Sequence, residues 1–99
     1  MGANAGLAVT SGSQNVFVGT QAGVSQTTAA NNTIIGFNAG DAITTGGTNT
    51  VIGASSGTAI TTGANNTFLG ATSGDAVTTG TQNTFVGSSA GGAQTTSSN

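Results

Sequence analysis

The sequence predicts an all-β fold, a β-solenoid of 17-residue coils, on three observations. One unit of 17 residues recurs with no insertion or deletion. Three columns of identical residues run through every copy. The apolar and β-branched residues gather in short runs bounded by Gly or Asn. Counted from Thr, the full units are 10–26, 27–43, 44–60, 61–77 and 78–94, so residues 1–99 read as a single repeat domain of about 5.5–6 coils. Self-similarity at a fixed period is the mark of units that stack to bury a shared core. A unit this short and this rich in Gly, Thr and Val cannot be a helical hairpin.

Within each unit the first predicted strand is the Thr-Phe-Val-like run at Val16–Val18, Thr33–Ile35, Thr50–Ile52, Thr67–Leu69 and Thr84–Val86. A second strand is predicted at the Ala-Ile-Thr-like run, residues 42–45, 59–62 and 76–79. Flanking Gly and Asn supply the turns. Stacked coils repeat about every 4.8 Å, which makes a rod about 25–30 Å long. The strict columns acquire structural roles from this stacking. Gly19, Gly36, Gly53, Gly70 and Gly87 continue from Gly2, and Gly23, Gly40, Gly57, Gly74 and Gly91 continue from Gly6. Glycine in a stacked turn admits positive φ and close backbone approach. Asn15, Asn32, Asn49, Asn66 and Asn83 form a column able to pass amide hydrogen bonds from coil to coil.

Two adjacent apolar columns carry the functional reading. Phe17, Ile34, Val51, Phe68 and Phe85 form one; Val18, Ile35, Ile52, Leu69 and Val86 form the next, and Met1 falls in register with it. Neighbours on a strand face opposite ways, so one column fills the coil with residues such as Ile43, Ile60 and Val77 and the other points out, the alternative being a bend at the doublet that turns both inward. Either column is the candidate oligomer interface, the Phe17 column being taken first. An outward apolar stripe marks an interaction site, and burying it is worth on the order of 10 kcal/mol per chain. Parallel association around a shared axis, as a homotrimer, is the expected solution.

The segments Thr-Thr-Gly-Ala-Asn-Asn-Thr-Phe-Leu-Gly (61–70) and Thr-Gly-Thr-Gln-Asn-Thr-Phe-Val-Gly (79–87) resemble the Gly/Asn/Thr repeats of bacteriophage tail fibres and related fibrous surface proteins. They are distantly similar to the head repeats of trimeric autotransporter adhesins. The resemblance covers essentially the whole chain. It implies a homotrimeric, parallel shaft or head on a virion surface or in the extracellular space, serving as a spacer or in host attachment. A host surface receptor or glycan is then a further partner. The unit differs in length from the adhesin head repeat, and the anchor, tip and C-terminal chaperone of such fibres are not recognisable. A chain that starts and ends in mid-repeat is expected to be a section of a longer protein, or a small protein that depends on assembly.

Composition narrows the remaining choices. The chain has no Lys, Arg, His or Cys, and its only charged side chains are Asp41 and Asp75. Without cations it cannot neutralise phosphates, so no nucleic-acid partner is expected. No apolar run approaches the length of a membrane span, so no membrane insertion is expected. No secretion-signal pattern is recognisable either. Catalysis lacks a His, Lys or Cys as base or nucleophile. Asp41 and Asp75 share a repeat position two coils apart, about 10 Å, but both follow a turn glycine and read as exposed turn residues. No enzyme activity, cofactor or metal is therefore expected. Asn31 and Asn65 open Asn-x-Thr sequons as by-products of the Asn-Asn-Thr step.

Two alternative functions remain. One is a self-assembling extracellular structural filament. The other is an ice-binding β-solenoid, suggested by the uncharged Thr columns at Thr28, Thr45, Thr62, Thr79 and Thr96 and at Thr33, Thr50, Thr67 and Thr84. Against it, the paired threonines are adjacent and point opposite ways, so they do not form a flat Thr-x-Thr array.

Overall fold

Val, Ile, Thr and Phe favour the pleated, half-buried surface of a sheet, and strands form where they cluster. The computed structural model describes residues 2–92 and 95–96, with principal extents of 30 × 20 × 16 Å. Its strands are β1 (Val16–Val18), β2 (Thr33–Ile35), β3 (Thr50–Ile52), β4 (Thr67–Leu69) and β5 (Thr84–Val86). They form one parallel sheet in sequence order. Each residue pairs with the one 17 positions on, as in Ile34 with Val51 and Val51 with Phe68. The fold is a β-solenoid that makes one turn per repeat. Met1 and Gln94, which the repeat places in the Val18 and Ile43 columns, lie outside the described residues.

The second predicted strand does not form. Residues 42–45, 59–62 and 76–79 run through turn, bend and irregular backbone. The cause is local. The N–H of Ile43 donates to Gly40 O at 3.2 Å, and those of Ile60 and Val77 do the same to Gly57 and Gly74. Those donors are spent within their own turn and cannot reach the next coil. The turn still swings Ile43, Ile60 and Val77 fully inward.

Inter-coil pairing nevertheless continues far beyond the strands. In the coil after β2, the N–H groups of Gly36 and Asn38 donate to Val18 O and Thr20 O of the coil before. Those of Gly40 and Thr44 donate to Ser56 O and Thr61 O of the coil after. Most of each coil's circumference is tied to a neighbour, which answers the need of buried backbone groups for partners.

The core is thin and columnar. Ile34, Val51 and Phe68 meet Ile43, Ile60 and Val77 across the coil, with Ala22, Ala29 and Ala39 filling the narrow side. The Phe68 and Phe85 rings stack with centroids 5.2 Å apart and 12° between planes. The two glycine columns have different reasons. A Cβ on Gly36, where φ is +138°, would lie 2.5 Å from Gly53 O of the next coil. A Cβ on Gly74, where φ is +60°, would lie 2.5 Å from the Phe68 ring. The first column lets backbones stack; the second makes room for the aromatic core.

Candidate interaction surface

The asparagine column is structural and leaves no side chain free for a ligand. Asn32, Asn49 and Asn66 are fully buried. The Asn49 N–H donates to Asn32 Oδ1 at 2.7 Å, and the Asn66 N–H donates to Asn49 Oδ1 at 3.0 Å. Each amide nitrogen then reaches a carbonyl of the following coil: Asn32 Nδ2 donates to Gly46 O at 2.9 Å, and Asn49 Nδ2 to Gly63 O at 3.0 Å. One side chain thus joins two coils at two points. Where the Ile43 column carries Gln26, the same logic holds. Gln26 Nε2 donates to Ala29 O at 3.1 Å, and its Oε1 accepts from Asn32 Nδ2 at 3.0 Å.

The strand doublet resolves against the first choice of interface. Ile34, Val51 and Phe68 have no exposure, and Phe17 and Phe85 pack against the same core. The Phe17 column lies inside the coil, so it is not a surface. The asparagine column points to the same side of the strand two residues earlier and bonds across the interior. That leaves Val18, Ile35, Ile52, Leu69 and Val86 facing outward; Leu69 is 46% and Val86 66% exposed.

The period-two alternation of a strand places a second column on that outer face. Thr33 and Thr50 are half-buried, and Thr67 and Thr84 are exposed, alongside the aliphatic column; β1 puts Val16 in their place. Sequence reasoning treated Thr33 and Ile35 separately, although their spacing of two was the signal that joins them. It also passed over Phe37, an exposed aromatic residue two positions past Ile35. The other Thr pair divides as expected from adjacency. Thr27 and Thr44 turn their hydroxyls onto carbonyls of the next coil, 3.3 and 3.2 Å away, while Thr28 and Thr45 are exposed.

No pocket and no group of three metal-ligating side chains is present among the described residues. Asp41 and Asp75 lie in one column with Thr58 between them, and both are half-buried. Burial raises the Asp41 carboxyl above its ordinary value, opposed by hydrogen bonds from the backbone of Asp41 and Ala42. Among the described residues no helix is long and apolar enough to cross a membrane. No protein-family model matches the chain, and comparison with curated proteins and with solved structures found no match.

Proposed function

We propose that the chain is a structural shaft segment that associates side by side with parallel copies of itself, as a trimer, in a fibre on a virion or cell surface. It serves there as a spacer or in host attachment, without enzyme activity. One observation carries the reading: an uncharged sheet face with a continuous outward aliphatic column, on a coil whose core is already filled by the column behind it. Five coils offer a strand face of about 24 Å by 10 Å, far below the roughly 800 Å² per partner of a stable complex. On so small a face the gain from burying the stripe is largely offset by the cost of association, and the balance improves with every coil added, as befits a shaft.

Sedimentation equilibrium tests this directly. The parent chain is expected to show reversible, concentration-dependent association, which Ile52→Ser with Leu69→Ser abolishes while the coil stays folded. A well-folded monomer at every concentration sinks the reading.

A second reading has its own observation. The outward face pairs a Thr column with an aliphatic column at a regular repeat and carries no charge, and that array suits ordered water as well as protein. Ice binding predicts thermal hysteresis in dilute solution, lost in Thr50→Lys.

A further inference from the structure

A shaft built from such coils has a register problem. The outward face repeats almost unchanged every 17 residues, with Thr33, Thr50 and Thr67 beside Ile35, Ile52 and Leu69. Two parallel copies can slip by one coil, about 4.8 Å, and lose only the contacts of the overhanging coil. Charge cannot correct the slip, because the chain holds two carboxylates and no cation.

Besides Val16 in β1, one residue breaks the translational symmetry by its size. The exposed column two positions past the aliphatic one, at the turn that follows each strand, reads Ala3, Thr20, Phe37, Ala54, Ala71 and Ser88. It holds one large apolar side chain among small ones. Phe37 is 56% exposed in the single chain. Its height on the rod is fixed, because Phe37 O accepts the Ser55 N–H at 2.8 Å and the Asn38 N–H donates to Thr20 O at 3.0 Å.

We propose that Phe37 is the register pin of the parallel assembly, its partner being a second copy of this chain. The proposal rests on the self-association reading. Around an axis parallel to the rods, equal alignment brings every Phe37 to one height, where the rings close a single apolar layer. A slip of one coil sets each ring level with Thr20 or Ala54 of the partner subunit, and the layer is lost.

Cysteine cross-linking reads the register, since the chain has no cysteine of its own. A disulfide forms only when the Cα atoms come within about 7 Å. Thr50→Cys and Thr67→Cys are made as separate chains, one lengthened by a tag, then mixed, refolded and oxidised. With Phe37 present, cross-links between unlike positions are expected to be rarer than like ones by on the order of tenfold. Phe37→Ala should raise the unlike cross-links several-fold while the assembly mass is unchanged. The pin can also be moved. Phe37→Ala with Ala54→Phe, carried on the Thr67→Cys chain and mixed with Thr50→Cys chains, should make the unlike cross-link the main product. An assembly whose cross-links ignore both changes overturns the register pin and leaves self-association standing. A folded monomer in every mixture removes self-association and the pin together.

Discussion

The strand side of each coil and its turn side solve the same stacking problem with different economy. On the strand side, Asn, Thr, an inward apolar residue, an outward aliphatic and Gly follow one another with few substitutions from Asn32–Gly36 to Asn83–Gly87. On the turn side, one outward column runs Leu7, Val24, Asp41, Thr58 and Asp75, and the inward column admits Gln26 beside Ile43. The strand side ties every residue to the neighbouring coils, through the parallel ladder and the buried amides. The turn side spends part of its hydrogen bonding on itself, as Ile43 does with Gly40. Regularity in the sequence therefore tracks how many inter-coil partners a position must satisfy.

Substitutions can break that comparison, and the largest effect is expected on the strand side. Phe68→Ala opens a cavity under the Phe85 ring and should cost about 3–5 kcal/mol in urea unfolding. Val77→Ala, opposite it on the turn side, removes fewer atoms and should cost clearly less. Equal losses would deny the difference. Asn66→Ala comes next. It leaves the Asn83 N–H and Gly80 O without their amide partners, at about 1–3 kcal/mol for each buried group. A cost below that of an ordinary surface change would show the asparagine ladder to be dispensable.

A smaller effect of opposite sign comes from a residue whose backbone is strained. Thr48 sits at φ +61°, in a column where Asn31 and Asn65 hold the same conformation. A β-branched residue is costly there and Asn is tolerated. Thr48→Asn is expected to raise stability by about 0.5–1 kcal/mol, seen as a higher Tm.

The smallest effect belongs to the turn side. The Asp41 carboxyl is raised in the folded state by burial, so the fold binds its proton more readily than the unfolded chain does. Its contribution is fully present below the unfolded value and fades as pH rises through the folded one. Tm should fall slightly across the carboxylate range, and Asp41→Asn should flatten that slope. A slope of the same size in the variant would remove Asp41 as its source.

Much of this architecture was legible because identical residues at one period leave little choice. The coil length, the strands from Val16–Val18 to Thr84–Val86 and the asparagine ladder follow from spacing alone. The second strand failed because propensity at Ala42, Ile43 and Thr44 cannot reveal that Gly40 adopts φ +52° and captures the Ile43 N–H. The direction of the doublet was hidden for another reason. Alternation says that Ile34 and Ile35 oppose each other, but both are apolar and the pattern carries no sign. The sign comes from across the coil, where Ile43 and Gly40 meet the Ile34 side chain. The fibre role and the trimer were read from resemblance and from the exposed stripe, and the single chain holds neither.

The constant offset of 17 residues between paired strands has a kinetic consequence. Each rung closes a loop of the same length, so the closure entropy is the same for the fifth coil as for the second. The edge of each finished coil is the template for the next. Once one pair of coils has formed, growth proceeds by short, identical steps, and the chain can zip up from one end as it is synthesised, however long the array becomes.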